Sequence, residues 1–244
     1  MVLAPSLSRI RPVRQTRACV VFAARFLVDG GMEGTNLTRS VRAAAWMATH
    51  PLEAGFWLRD RMRPRSPLDL ALPWTSWTCI NFLERHVRAG MHVLEYGGGG
   101  STRFFLRKGC SVTTIESSPL WAEQIVDWAR RDGTRDRLEL KCLPVTSQAD
   151  VQGYAAELNT ESLCDIVLID GLEDTRTACL DLVTQKKHAP DWLVVLDDSW
   201  RNHYEAHMPR PPEYRSVALR GLGPARIGVT QAHAFFRAGG RFDD

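Results

Sequence analysis

Residues 92–102 decide the fold, with the sequence His-Val-Leu-Glu-Tyr-Gly-Gly-Gly-Gly-Ser-Thr. The apolar run at 92–96 predicts a buried strand, and the segment 101–108 after the glycines predicts a helix. Glycines at such a junction let the backbone approach a ligand closely and leave the N–H groups of the helix start free. The stretch therefore predicts one strand–turn–helix unit of an α/β sheet, with a ligand site at its turn.

The same alternation of strand and helix continues to about residue 196. Five apolar or β-branched runs predict strands, at 92–96, 111–115, 138–142, 164–169 and 191–196. Strands that are apolar on both faces require a parallel sheet with helices on both sides, so the fold class is α/β. Two later runs, 215–220 and 232–237, have no helix between them, and they predict an antiparallel pair at a sheet edge.

The amino-terminal segment differs in composition from the rest. Its first 28 residues contain no acidic residue and five arginines, at positions 9, 11, 14, 17 and 25. The apolar stretch at 18–24 is short for a signal peptide, so residues 1–72 are expected to form a basic, helical extension and cap, and residues 73–244 the α/β domain. The remainder of the chain is close to neutral, without the broad positive field typical of nucleic-acid binders.

Composition excludes several other classes. Hydrophobic residues make up 44% and charged residues 24%, which favours an ordinary globular protein over a disordered one. No window of about 18 uncharged apolar residues exists, so no membrane span is expected. The six cysteines form neither a CxxC pair nor a zinc-type cluster, and they are interpreted as reduced core thiols of a cytoplasmic protein.

A carboxylate accompanies the glycine turn. Glu116 ends the second predicted strand, where a carboxylate can accept hydrogen bonds from both ribose hydroxyls. The glycine turn and Glu116 together predict an adenosine-containing ligand. A dinucleotide fingerprint needs a third glycine where Thr102 stands, and Glu95 would repel a pyrophosphate but attract an ammonium group. S-adenosylmethionine (SAM) has an ammonium, a sulfonium and no phosphate. It is therefore favoured over an NAD-type cofactor, although an NAD-type oxidoreductase stays an alternative.

The turn resembles motif I of class I SAM-dependent methyltransferases, and more narrowly a bacterial group with a Tyr-Gly-x-Gly-x-Ser-Thr turn. The similarity extends over about residues 73–237, through Pro73-Trp-Thr, Ile169-Asp-Gly171, Arg176, Cys179, Asp197-Asp-Ser199-x-Arg201-x-x-Tyr204 and Gly221-x-Gly-Pro. The resemblance implies a Rossmann-like, seven-stranded, mostly parallel sheet with a reversed carboxyl-terminal strand. The chain departs from that group at Asp198, where asparagine is usual, and by two extra residues between Gly171 and Arg176.

The resemblance also implies a set of cofactor-binding residues. Glu95 would hold the amino group of SAM, Glu116 would bind its ribose, and the glycine turn would line its methionine part. The residues concerned are Glu95, Tyr96, Gly97, Gly99, Ser101, Thr102, Glu116 and Asp170.

Three aspartates follow the fourth and fifth predicted strands. Asp170, Asp197 and Asp198 should meet at one sheet edge, and such a group of oxygen ligands suits Mg²⁺. They are the candidate metal ligands; the alternative is that Asp170 orients a ligand while the other two cap a turn. Asp170 and His203 are the candidate catalytic residues, because either can accept a proton from an acceptor hydroxyl.

These features predict a SAM-dependent methyltransferase that acts on a small molecule, at a hydroxyl group. A SAM-fold scaffold without catalytic activity is a second alternative. Residues 1–70 and loops near 145–160 and 200–215 are expected to shape the acceptor pocket. The residues that could form its walls are Trp74, Trp77 and Trp200. Neither nucleic acid nor membrane is an expected partner, and a homo-oligomer is left open.

Overall fold

The computed structural model describes residues 36–62, 67–157, 164–185, 191–208, 214–224 and 228–243. Within these residues the chain forms a seven-stranded sheet. Its strands are β1 (His92–Tyr96), β2 (Ser111–Glu116), β3 (Leu138–Cys142), β4 (Ile166–Ile169), β5 (Leu193–Leu196), β6 (Tyr214–Leu222) and β7 (Val229–Arg237). The spatial order is β3-β2-β1-β4-β5-β7-β6. The first five strands pair in parallel, and β7 is antiparallel to both β5 and β6, so the predicted sheet with its reversed last strand is confirmed.

Helices follow most of the strands. They are α1 (Asn36–Thr49), α2 (Pro51–Arg61), α3 (Pro67–Leu70), α4 (Trp77–His86), α5 (Gly100–Arg107), α6 (Pro119–Arg131), α7 (Gln148–Ala156) and α8 (Glu173–Gln185). Short 3₁₀ turns occur at Arg135–Arg137 and Asn202–His207. Ser76 caps α4 and Ser118 caps α6, each accepting a hydrogen bond from the backbone N–H three residues later.

The sheet separates two apolar cores because side chains alternate along each strand. Val93 faces a core formed with α4, α5 and α6, whereas Leu94 and Tyr96 face a core formed with α7 and α8. Helices therefore cover both faces, as the continuous apolar strands predict. The strands β4 and β5 are buried along their whole length, which is typical of the centre of a parallel sheet.

The described part of the amino-terminal segment is helical. Ala43 on α1 and Trp57 on α2 form a third apolar cluster with Trp77, Leu222 and Val229, so these helices pack against α4 and the β6–β7 end of the sheet. The proposed boundary at residue 72 stays a prediction. The five arginines of the first 28 residues, together with Cys19, lie outside the described residues.

One element differs from the sequence prediction. The segment near 145–160, expected as a loop, contains the helix α7. Ser147 accepts a hydrogen bond from the N–H of Asp150, and the Asp150 carboxylate accepts one from the N–H of Ser147, which forms a capping box. Val151, Tyr154 and Ala155 then bury one face of the helix against β1 and β4.

Cys79, Cys110, Cys164 and Cys179 are buried free thiols, and Cys142 is exposed at the end of β3. Burial raises the pKa of Cys110 to about 11, so this thiol stays protonated at neutral pH. Among the described residues, no helix combines the length and apolar character needed to cross a membrane.

The register of the sheet brings four strand ends to one edge. Tyr96 pairs with Ile115 on one side and Ile169 on the other, and Ile169 pairs with Leu196. The residues that follow these strands therefore lie side by side, at the carboxyl edge where open α/β sheets bind their ligands.

Candidate functional site

A cleft of about 340 Å³ opens at this carboxyl edge. It is within the size range of small-molecule sites. Its walls come from the ends of β1, β2, β4 and β5 and from the segment before α4. The lining residues are Trp74, Gly97, Gly98, Gly99, Gly100, Ser101, Glu116, Ser117, Trp121, Asp170, Gly171, Leu172, Arg176, Asp197 and Asp198.

The glycine turn is packed tightly against the end of β4. Gly97 has a φ of +83°, and a Cβ atom at this position would lie 2.4 Å from the carbonyl oxygen of Asp170. A Cβ atom on Gly98 would lie 2.5 Å from Cγ2 of Thr114. The first contact leaves no room for any side chain, because the neighbouring atom belongs to the backbone. Gly97 thus lets the chain leave β1 and present its backbone to the cleft.

Glu116 lies beside this turn at the tip of β2. Its Oε2 accepts a hydrogen bond of 2.9 Å from the N–H of Gly98, and its Oε1 accepts one of 2.8 Å from the N–H of Ser118. The two backbone donors hold the carboxylate in place at the cleft wall. Oε1 also accepts a longer hydrogen bond of 3.4 Å from Oγ of Ser117. A carboxylate has about four lone-pair sites, so Glu116 can still accept hydrogen bonds from a ligand.

Glu95 lies beneath the turn rather than in the cleft wall. The residue is fully buried, and its Oε2 accepts hydrogen bonds from Oγ1 of Thr102 at 2.5 Å and Oγ1 of Thr114 at 3.1 Å. Thr102 in turn accepts a hydrogen bond of 2.9 Å from the N–H of Gly99. Glu95 and Thr102 therefore brace the glycine turn from below.

The charge on Glu95 is costly in this position. Its Oε1 is buried and accepts no hydrogen bond from the described residues. Burial raises the pKa of Glu95 to about 7, and the negative charge of Glu116 acts in the same direction, while hydrogen bonds from nearby hydroxyls oppose both. A cation bound above the turn would favour the ionised form.

The side chain of Tyr96 points away from the cleft. It lies on the opposite face of the sheet from Glu95, where its hydroxyl donates a hydrogen bond of 2.8 Å to the carbonyl of Ala155 and its ring packs on Tyr154. Strand alternation sends consecutive residues to opposite faces, so only the backbone of Tyr96 can contribute to the cleft. Ser101, in contrast, is among the residues that line the cleft, and its role in binding SAM stays a prediction.

The three aspartates meet at the cleft as predicted, and Arg176 lies among them. The Arg176 guanidinium donates hydrogen bonds of 2.8 Å to Oδ1 of Asp170, 2.8 Å to the carbonyl of Gly171 and 2.9 Å to the carbonyl of Asp197. Its Nη1 lies 3.7 Å from Oδ2 of Asp198. Burial would lower the pKa of Arg176, but the three aspartate carboxylates outweigh that effect and raise it.

The residues present do not fit the predicted magnesium site. Within the described ranges, no group of three or more His, Cys, Asp or Glu side chains is arranged to hold a metal ion. Oδ1 of Asp198 is already bound by Oγ1 of Thr230 at 3.1 Å and by Nε1 of Trp200 at 3.3 Å. The backbone at Asp198 has a φ of +51°. The guanidinium of Arg176 stands where the prediction placed a divalent cation.

His203 is not among the residues that line the cleft. It is half-exposed on the 3₁₀ turn after β5, and its Nε2 lies 3.4 Å from a carboxylate oxygen of Glu173 at the start of α8. Of the three tryptophans considered as walls, only Trp74 lines the cleft. Trp77 is buried against α1 and α2, and Trp200 binds Asp198.

Trp121, on α6, is a cleft residue that the sequence patterns above do not single out. Its Nε1 donates a hydrogen bond of 2.5 Å to the carbonyl of Gly98, and its ring lies 3.4 Å from the position of a Cβ on Gly99. The indole therefore supports the outer side of the turn. Its position in the first turn of the helix that follows Glu116 is the available signal.

Comparison with known proteins identifies the architecture. No protein-family model matches the chain, and no curated protein matches its sequence. An O-methyltransferase from Bacillus cereus, solved in complex with SAH, superposes with a TM-score of 0.53 at 18% identity, over 80% of this chain and 100% of that one. The chain has the fold of such methyltransferases. A methyltransferase from Geobacter sulfurreducens gives a TM-score of 0.51 at 14% identity, over 76% of this chain and 97% of that one.

Proposed function

We propose that the protein is a SAM-dependent methyltransferase that acts on a hydroxyl group of a small molecule. One observation carries the proposal: the tight turn at Gly97 and the carboxylate of Glu116 lie together at the wall of one cleft, at the carboxyl edge of the sheet. This arrangement suits a nucleoside, because the backbone of the turn can approach the ligand closely and the carboxylate can bind the ribose hydroxyls.

The donor would bind along the turn. The Glu116 carboxylate would accept hydrogen bonds from the ribose hydroxyls, and the backbone of Gly97–Gly99 would lie against the methionine part. Glu95 is enclosed beneath the turn, so its predicted role becomes indirect: it holds Thr102 and contributes negative charge below the ammonium group. When bound, SAM supplies a methyl group on a positively charged sulfur.

Charge favours this donor over a dinucleotide. The described residues that line the cleft include four carboxylates, those of Glu116, Asp170, Asp197 and Asp198, and a single basic group, the guanidinium of Arg176. A net negative cleft attracts a sulfonium and an ammonium and repels a pyrophosphate. This supports SAM over the NAD-type alternative.

The acceptor would lie at the Asp170 side of the cleft. Asp170 is part-exposed there, and Arg176 orients it by donating a hydrogen bond of 2.8 Å to its Oδ1. The carboxylate can therefore accept a hydrogen bond from an acceptor hydroxyl and orient its lone pair toward the methyl group. The B. cereus protein of similar fold is an O-methyltransferase, which favours oxygen as the acceptor atom.

Calorimetry followed by a methyl-transfer assay tests the proposal. SAM and SAH should bind one per chain, and NAD⁺ should not compete. The chain, incubated with methyl-labelled SAM and a deproteinised metabolite extract, should transfer label to a small molecule that mass spectrometry identifies as a methyl ether. Binding of NAD⁺ without SAH would support the oxidoreductase instead. Binding of SAH with no labelled product would support a non-catalytic scaffold.

A further inference from the structure

Arg176 makes an unusual set of contacts for a residue at the wall of a cleft. Its side chain is only 9% exposed, and its donors are directed at three oxygens from three different residues, Asp170, Gly171 and Asp197. Asp198 adds a fourth oxygen at 3.7 Å. The guanidinium thus connects the residues that follow β4 with those that follow β5.

These oxygens are of the kind that a hard divalent cation collects. Mg²⁺ binds carboxylate and carbonyl oxygens, and the arginine contacts two backbone carbonyls, one carboxylate oxygen at hydrogen-bond distance and another nearby. The same oxygens cannot serve both cations, because a planar guanidinium fills the space between them. The guanidinium already neutralises part of the negative charge of Asp170 and Asp198 without a metal ion.

We propose that Arg176 is the resident cation of this acidic end of the cleft, and that it positions Asp170 in the role a divalent metal would otherwise have. The three aspartate carboxylates raise the pKa of Arg176, as expected for a cation held among them. That Asp170, held by Arg176, orients an acceptor hydroxyl rests on the proposed function. That Arg176 takes the place of a divalent cation does not rest on it, and can be tested without any substrate.

Substituting Arg176 should expose a latent requirement for a divalent cation. In Arg176→Gln the aspartate carboxylates lose their counter-charge, so the melting temperature should fall by roughly 5–15 °C, the scale for breaking a buried ion pair in a chain of this size. Millimolar MgCl₂ should recover part of that loss, and KCl at the same ionic strength should not. The recovery should disappear in the double variant Arg176→Gln/Asp170→Asn.

Arg103 provides a matched control. It is equally buried, and it binds both carboxylate oxygens of Asp132 at 2.9 and 3.0 Å, away from the cleft. Arg103→Gln should lose stability to a similar extent but gain no specific response to Mg²⁺. A merely structural role for Arg176 would make the two variants behave alike.

The wild-type protein gives an independent result should Arg176→Gln fail to fold. Its melting temperature and its calorimetric trace should be the same in EDTA and in millimolar MgCl₂. Binding of one Mg²⁺ per chain, abolished by Asp170→Asn, would overturn the proposal, and so would a Mg²⁺ response shared by Arg103→Gln. If the protein does not bind SAH at all, the proposed function fails, while these cation measurements keep their meaning.

Discussion

The backbone N–H of Gly98 donates a hydrogen bond of 2.9 Å to Oε2 of Glu116. This contact joins the turn after β1 to the tip of β2, two segments that a ligand would have to contact together. It also means that the carboxylate is fixed before any ligand arrives, so little ordering cost remains on binding.

Replacing Glu116 should therefore weaken nucleoside binding. Glu116→Gln keeps the shape but removes the charge, and it turns an amide group toward a backbone N–H. The Kd for SAH should rise by about 5- to 150-fold, which corresponds to roughly 1–3 kcal/mol for hydrogen bonds to a charged group. Glu123→Gln, exposed on α6, is the control and should leave the Kd as in wild type. An unchanged Kd in Glu116→Gln would mean that the ribose site lies elsewhere.

Gly97 and Gly90 form a pair that separates backbone strain from steric clash. Both have positive φ, +83° and +86°, but a Cβ would meet the Asp170 carbonyl at Gly97 and nothing within 4 Å at Gly90. Gly90→Ala should cost about 1–2 kcal/mol, or roughly 2–8 °C in melting temperature, from the left-handed backbone alone.

Gly97→Ala should cost clearly more than Gly90→Ala and should also raise the Kd for SAH, because the turn must move away from β4. Melting curves and calorimetry on both variants check this. If Gly97→Ala and Gly90→Ala lost the same stability and Gly97→Ala still bound SAH normally, the close approach of the turn to Asp170 would be unnecessary for binding.

Much of the fold could be predicted because its strands are buried on both faces. Residues 92–96 form a strand with the predicted bounds, since an apolar run between turn residues has few alternatives in an α/β chain. Residues 138–142 also form the predicted strand, although this edge strand alternates apolar and charged residues and is only partly buried. The apolar pattern does not predict the helix α7, because its buried residues are few and Gly153 interrupts them. The capping box at Ser147 was the local signal that could have located it.

The candidate site was predictable in chain order but not in side-chain direction. Gly97, Glu116 and Asp170 follow strand ends, so a parallel sheet must bring them together. The burial of Glu95 and the orientation of Tyr96 follow from strand alternation, which the motif alone does not express. The position of Arg176 depends on how α8 packs over the ends of β4 and β5, and local sequence patterns do not specify that packing.

Trp121 gives a test of a residue that the motif did not include. Its indole donates a hydrogen bond to the carbonyl of Gly98, so Trp121→Phe keeps an aromatic ring beside the turn and loses the hydrogen bond. The Kd for SAH should rise by about 2- to 10-fold, the scale of one neutral hydrogen bond. Trp128→Phe on the same helix, whose ring stacks on Arg103, should lower stability without changing the Kd. The reverse pattern would remove Trp121 from the site.

Glu95 should make the stability of the protein depend on pH. Burial raises its pKa from an ordinary value of 4.5 to about 7 in the folded state, so between these values the folded protein binds more protons than the unfolded chain. The free energy of unfolding should therefore fall as the pH rises through this window, by roughly 3 kcal/mol at about 1.4 kcal/mol per pKa unit. Above pH 7 this contribution should be constant.

Glu95→Gln isolates that contribution because it removes the titrating group and keeps an oxygen for Thr102 and Thr114. The melting temperature of the variant minus that of wild type should increase by roughly 5–10 °C between pH 5 and pH 8. Glu123→Gln, which changes the same charge on the surface, should give a flat difference over the same range. A flat difference for Glu95→Gln as well would mean that the buried carboxylate is ionised at pH 5, and that the hydroxyls of Thr102 and Thr114 compensate fully for its burial.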